Sequence, residues 1–167
     1  KLLIISDVAV IPLPDFKQKM VQIGYLARTA NLLGIEAPKI ACIAPSEQLL
    51  PNVISSTEGA LLAKMADRGQ LGNVVVDGPL SLDVALYKEV AEHKKVKGSS
   101  VAGDPDCLLF PNLESANVFF KSVSHLCGGE LAAMVMGTKV PCVLTSRGDT
   151  SKTKLFSIAL ACLAVKK

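Results

Sequence analysis

Short apolar runs alternate along this chain with longer stretches in which apolar residues return at helical spacing, and that alternation restricts the fold more than any other feature. Residues 2–10, 39–44, 74–76 and 107–110 read as strands, being short and almost uniformly apolar. Behind Asp15, an N-cap residue, Phe16, Met20, Ile23, Ala27 and Ala30 recur at i, i+4, i+7, i+11 and i+14, and Gly34 stops the pattern. A second helical stretch follows Ser55-Ser56-Thr57-Glu58, which has the form of a capping box, and ends at Gly69 and Gly72. A third starts at Ser81 and ends near His93. A fourth runs from about Glu114 to Cys127, with Ala116, Phe119, Phe120 and Val123 inward. Residues 132–136 and 140–144 read as strands joined by Gly137-Thr138-Lys139, too short a link for a parallel crossover, so that pair is expected to be antiparallel. The last helix is expected over residues 154–165. Together these elements give an α/β class: a mostly parallel sheet with an antiparallel element, covered by helices on both faces.

Half of the 167 residues are apolar and a fifth are charged, enough for a substantial core. The length suits one compact domain or one large lobe of something bigger. The chain has no initiator Met, and Lys1-Leu2-Leu3-Ile4-Ile5 enters as if in mid-strand, so a fragment or excised domain is expected. No apolar segment approaches the roughly 20 residues that cross a bilayer, and no signal peptide opens the chain, so no membrane partner is expected. A formal charge of +3 fits a small anionic ligand, whereas nucleic-acid binders carry basic stripes and aromatic platforms that are scarce here. Lys94-Lys95-Val96-Lys97, the one dense basic patch, reads as a solvated helix end. Cys42, Cys107, Cys127, Cys142 and Cys162 form no CxxC pair and sit mostly in apolar runs, the usage of small core residues in a reducing, cytoplasmic compartment. Two histidines, His93 and His125, are too few to argue a metal site.

Ligands of open α/β sheets gather at the carboxyl ends of strands. Three polar segments qualify as strand exits: Asp77-Gly78, residues 112–117, and Ser146-Arg147-Gly148. Their convergence is the expected site. In the last of them, Thr145-Ser146-Arg147-Gly148-Asp149-Thr150-Ser151 joins an apolar run to a helix. A helix N-terminus offers unpaired N–H groups, and an arginine offers a planar fork for phosphate oxygens. The alternative is a capped loop whose Arg147 pairs with a surface carboxylate. Neither GxGxxG nor GxxxxGK[ST] occurs, so the common nucleotide fingerprints are absent.

Four segments in register resemble the phosphate acetyltransferase and phosphate butyryltransferase family: residues 76–86 (VDGPLSLDVAL), 101–106 (VAGDPD), 109–117 (LFPNLESAN) with Lys121, and 144–149 (LTSRGD). The phrases at residues 140–147 and 154–160, and Lys1 to Asp7 followed by Asp15, resemble the butyryltransferase branch. The resemblance implies an isocitrate/isopropylmalate dehydrogenase-like fold of two lobes, of which residues 1–167 would form the second lobe and the returning C-terminal helix. It implies exchange of a short acyl group between coenzyme A and inorganic phosphate, with the CoA thioester as substrate, no permanent cofactor, and a homo-oligomeric assembly. On that reading Ser146 and Arg147 are catalytic, while Asn117, Lys121, Asp77 and Gly78 shape the CoA side of the cleft. A surface amide, a surface lysine and an ordinary turn are the alternatives for those four. The acetyltransferase branch has an aspartate seven residues beyond the serine, where this chain has Thr153; Asp149 lies nearer and is a candidate helix cap. Phosphate acetyltransferase and a non-catalytic acyl-CoA-sensing domain are the alternative functions.

Overall fold

The computed structural model describes residues 1–165. Two compact units divide the chain, Lys1–Asn117 and Val118–Lys167. The first holds β1 (Ile4–Ser6), α1 (Phe16–Leu32), β2 (Lys39–Ile43), α2 (Ile54–Asp67), β3 (Val75–Leu80), α3 (Leu82–Leu86), α4 (Lys88–His93), β4 (Cys107–Leu109) and the start of α5 (Leu113–His125). Its four strands run in the order β1-β4-β2-β3, every pair parallel. Because β1→β2 and β2→β3 advance in one direction and β3→β4 returns, right-handed crossovers put α1 and α2 on one face and α3–α4 on the other. The second unit carries the rest of α5 and α6 (Ser151–Leu163).

α1 forms as its sequence dictates. Asp15 accepts the Gln18 N–H at 2.8 Å, and the Gln18 side chain accepts the Asp15 N–H at 2.8 Å, closing a capping box. Gly34, at φ 86°, ends the helix in the left-handed region. Ile23, Leu26 and Ala30 face Ile40, Cys42, Val76, Cys107 and Leu109 in one cluster. Burying Ile23 and Leu26 stabilises the fold by about 1.5–3 kcal/mol each.

Elsewhere the expected elements are corrected. β1 stops at Ser6 because the Asp7 carboxylate accepts the N–H groups of Ala9, Val10 and Ile11, turning the chain out of the sheet. The capping box at Ser55 does not form: α2 starts two residues earlier, behind Val53, and Glu58 is committed to Lys19 of α1. The expected helix over residues 81–93 is broken at Tyr87, which adopts extended angles. There the Ala85 carbonyl, which a continuous helix would use, accepts the Gly103 N–H at 2.9 Å. The pair at residues 132–136 and 140–144 shrinks to one isolated antiparallel bridge, Val135 to Cys142, outside the sheet. Val140 and Leu144 remain exposed, so the segments have no apolar surface to hold them flat. The sheet is parallel throughout, without the expected antiparallel element. Cys42 and Cys107 are core thiols that burial pushes up to about 12, but Cys127 and Cys162 are exposed and Cys142 half-buried, a correction to the reading of all five as core residues.

At the amino ends of the strands, Lys1 bonds Asp104 at 2.6 Å and Asp106 at 3.0 Å, Lys39 bonds Asp104 at 2.8 Å, and the Lys39 N–H donates to Asp106 at 2.9 Å. The Lys1 and Lys39 hydrogen bonds hold the Asp104 carboxyl at about 2, below its ordinary 3.8. A depressed folded value means this stability is present above about pH 4 and lost as pH falls towards 2. Asp104 is exposed and screened, so the effect stays below about 1 kcal/mol. Asp104→Asn is expected to lower the urea midpoint slightly at neutral pH and to flatten the acid limb between about pH 4 and 2; acid limbs identical to wild type would contradict this network.

Candidate functional site

The segment from Thr145 to Ser151 is organised by its own polar groups. Ser146 N–H donates to the Asp149 carboxylate at 2.7 Å, Asp149 N–H returns to the Ser146 carbonyl at 3.2 Å, and Gly148 N–H approaches the Ser146 hydroxyl at 3.4 Å. Thr150, and not Asp149, caps α6: its hydroxyl accepts the Thr153 N–H at 3.1 Å and its carbonyl the Lys154 N–H at 3.1 Å. The N–H groups of Ser151 and Lys152 have no internal acceptor among the described residues. The first turn of α6 itself holds no acidic residue.

Arg147 is exposed and makes no hydrogen bond or ion pair among the described residues. Pairing with a surface carboxylate is therefore not what the loop does with it, since the nearest candidate in sequence, Asp149, spends its carboxylate on Ser146 N–H. Lys152 pairs instead with Glu130 and stands 5.6 Å from the centroid of Phe156. Thr153 belongs to the cap, its hydroxyl 3.1 Å from that of Thr150. The fully buried Ser157 hydroxyl donates to the Thr153 carbonyl and accepts the Ala133 N–H, fastening the segment after α5 to α6.

The other expected residues fall elsewhere. Asp77 and Gly78 lie inside β3 and not at its exit, because the strand runs on through Leu80, with Asp77 opposite Ala41 of β2. A Cβ on Gly78 would stand 2.6 Å from the Cys42 Cβ, so this glycine permits close packing of β2 and β3. The Asp77 carboxylate accepts the Gly78 N–H at 2.8 Å, and its charge adds to burial in raising the Cys42 thiol, while the Lys19 ammonium acts in the opposite sense. Asn117 donates to the Val8 carbonyl at 2.8 Å, tying α5 to the exit of β1. Lys121, one turn on, is exposed. Asp77, Gly78 and Asn117 belong to the first unit; Lys121, Ser146 and Arg147 belong to the second. Of the three expected strand exits, only residues 112–117 follow a strand of the sheet.

A feature not expected from sequence lies at the carboxyl ends of β2 and β4. There a shallow open recess is lined by Lys19, Cys42, Ser55, Glu58, Phe110 and Pro111, among others. Lys19 keeps 6% of its side-chain exposure and pairs with Glu58, which keeps 20%. One sequence signal was available: Lys19 stands at i−4 from Ile23, on the apolar stripe of α1. Among the described residues, no group of three or more His, Cys, Asp or Glu side chains could hold a metal ion, and no helix is long and apolar enough to cross a membrane.

A family described as phosphate acetyl/butaryl transferase matches residues 1–162. Phosphate butyryltransferase of Clostridium acetobutylicum is 44% identical over 163 residues, which is 98% of this chain and 54% of that protein. Phosphate acetyltransferase of Thermotoga maritima is 41% identical over 159 residues, 95% of this chain and 54% of that protein. The crystal structure of a branched-chain phosphotransacylase from Enterococcus faecalis V583 superimposes with a TM-score of 0.87 at 31% identity, over 95% of this chain and 56% of that one. The chain thus spans about half the length of the curated relatives it matches.

Proposed function

This chain belongs to the phosphate acetyl/butaryl transferase family, and we propose that the protein it forms part of exchanges a short acyl group between coenzyme A and inorganic phosphate. We further propose that residues 1–167 are the second lobe and C-terminal helix of an isocitrate/isopropylmalate dehydrogenase-like enzyme that assembles as a homo-oligomer. The observation that carries the activity is the exposed Arg147 in the loop that opens α6, where free N–H groups stand beside a guanidinium with no partner among the described residues.

In the proposed step a phosphate oxygen attacks the thioester carbonyl carbon. A C–O bond forms, the carbonyl oxygen takes the electron pair, and collapse breaks the C–S bond and releases CoA as thiolate. Arg147 suits phosphate, because its fork can bond two oxygens and offset their charge. The Ser146 hydroxyl has its proton free to donate to the oxyanion or to the departing sulfur, since within the loop it only accepts, weakly, from Gly148. With Thr153 bound into the helix cap, no carboxylate at that position acts as base. Phosphate entering as a dianion needs none. That absence favours butanoyl or branched acyl groups over acetyl as the natural cargo.

Asn117, by contrast, has its amide N–H committed to Val8, which supports a scaffolding role for it; Lys121 remains a candidate for a CoA phosphate. The test is thiol release from a panel of acyl-CoAs by the full-length protein, with and without phosphate. Phosphate-dependent release with a short acyl-CoA is expected; its absence with every member of the panel overturns the reading and leaves acyl-CoA sensing as the alternative.

A further inference from the structure

We propose that Ser157 is a positioning residue for phosphate: with residues 133–135 it clamps the base of the loop that carries Ser146 and Arg147, and so sets where the guanidinium stands. The inference rests on the acyl-exchange reading and goes beyond it by giving the placement of Arg147 a cause in the fold.

Two hydrogen bonds meet on one short segment. Val135 N–H donates to the Cys142 carbonyl at 2.8 Å, inside the isolated antiparallel bridge, and Ala133 N–H donates to the Ser157 hydroxyl at 2.9 Å. The chain enters the loop just after Cys142 and leaves it along α6 towards Ser157. Residues 142–157 are thus tied at both ends to residues 133–135, and Arg147 lies between the ties. The turn that brings Cys142 back to Val135 holds Gly137 at φ 92° and the Thr138 hydroxyl, which donates to the Val140 carbonyl at 2.6 Å.

Apolar burial holds α6 weakly. Its buried residues are Ser157 and Ala161, while Leu155, Ile158 and Leu163 are more than half exposed. A serine at 0% exposure is a poor choice for packing alone, because its hydroxyl must be desolvated and alanine would fill nearly the same space. Its bond to the Thr153 carbonyl at 2.7 Å, one turn back, adds nothing to a helix that alanine would form as well. What the hydroxyl supplies and alanine would not is an acceptor for Ala133.

The same hydroxyl reaches the loop through the helix cap. Thr153 N–H and the Thr153 hydroxyl each lie 3.1 Å from the Thr150 hydroxyl, and Thr150 follows Asp149, whose carboxylate accepts the Ser146 N–H at 2.7 Å. The bonds therefore run from Ala133 through Ser157, Thr153 and Thr150 to the turn beside Arg147. Arg147 is exposed and makes no hydrogen bond or ion pair among the described residues, so its position depends on the backbone beneath it. A group that must meet a reacting phosphate is sensitive to that backbone, since a displacement of about 1 Å can cost about a hundredfold in rate.

The experiment uses the full-length protein and separates positioning from stability. Ser157→Ala is expected to raise the KM for phosphate about tenfold, less than a full 1 Å displacement would cost, and to leave the KM for butanoyl-CoA unchanged. Introduced into Arg147→Ala, it is expected to change phosphate use by less than about twofold, because the clamp acts through the guanidinium. Hydrogen exchange read by mass spectrometry should quicken over residues 143–153 and stay the same over residues 1–117. An unchanged phosphate KM overturns the proposal. So does an equal rise in both KM values, or a loss as large in Arg147→Ala as in wild type, either of which marks a role in stability alone. If Ser157→Ala does not fold, amide exchange in the wild type decides: the Ala133 amide should be protected and should open together with those of Ser146 and Thr153. An Ala133 amide that exchanges as freely as in an unfolded chain then refutes the clamp. A wild-type protein without phosphate-dependent release sinks the acyl-exchange reading; hydrogen exchange then decides this one, faster exchange over residues 143–153 in Ser157→Ala upholding the clamp and equal exchange removing it.

Discussion

Replacing Arg147 by alanine is expected to cut phosphate-dependent thiol release by between tenfold and about a thousandfold, a loss of one to several kcal/mol of transition-state stabilisation. The size follows from what the side chain would do: hold a dianion beside a thioester whose carbonyl oxygen is itself becoming charged. The same substitution should leave stability within about 0.5 kcal/mol of wild type, because Arg147 is exposed and makes no hydrogen bond or ion pair among the described residues. Arg147→Lys should recover only part of the activity, since an ammonium keeps the charge but cannot bond two phosphate oxygens in one plane. Steady-state kinetics with phosphate varied at saturating acyl-CoA, alongside thermal melts, measures both quantities. Kinetics unchanged in Arg147→Ala would remove this residue from the mechanism and with it the main support for phosphate binding at α6.

The loop around Arg147 was legible in the sequence because its hydrogen bonds are local. Six consecutive residues contain the serine, the arginine, the cap and the turn-forming carboxylate, and no distant contact is needed to see a capped helix start beside an arginine. The same holds for α1, whose start at Asp15 and stop at Gly34 depend only on near neighbours. Reading failed where a tertiary partner outbid a local one. Ser55 and Glu58 have the spacing of a capping box, yet Glu58 turns to a lysine 39 positions away, and Ser56 reaches back to Leu50 and Gln48 instead. Nothing near Tyr87 announces a break; its cause, Gly103, arrives from beyond α4. Asp77 and Gly78 looked like a strand exit because aspartate and glycine usually end strands, whereas here the missing side chain of Gly78 is what lets β3 continue past Cys42.

The segment at residues 101–106 shows a different limit. It counted among the marks of family resemblance, and the natural inference from such a mark is a role in the chemistry. The structure puts it at the amino ends of the strands, where Asp104 and Asp106 gather Lys1 and Lys39 and where Val101 is fully buried. Parallel sheets present ligands at the opposite edge. These residues therefore fix how β1, β2 and β4 begin, and a sequence pattern alone does not distinguish that task from catalysis.

Gly103 is the member of that segment whose replacement is expected to cost most. Its φ of 84° lies in the left-handed region, and a Cβ there would stand 2.5 Å from the Lys88 Cα and 2.8 Å from the Lys88 nitrogen. The obstacle is backbone at the start of α4, so no rotamer change relieves it. Gly103→Ala thus combines a positive-φ penalty of about 1–2 kcal/mol with overpacking of about 1–3 kcal/mol. The chain must either push α4 away or give up the Gly103 N–H bond to Ala85, which is the contact that ends α3. Gly34 supplies the control, for it has the same handedness at φ 86° but nothing within 4 Å of an added Cβ. Gly34→Ala should cost only the conformational part. Urea denaturation of the two variants is expected to show Gly103→Ala less stable than Gly34→Ala by at least about 1 kcal/mol. Equal losses would mean that α4 yields freely, and that the approach of Gly103 to Lys88 does not set the break at Tyr87.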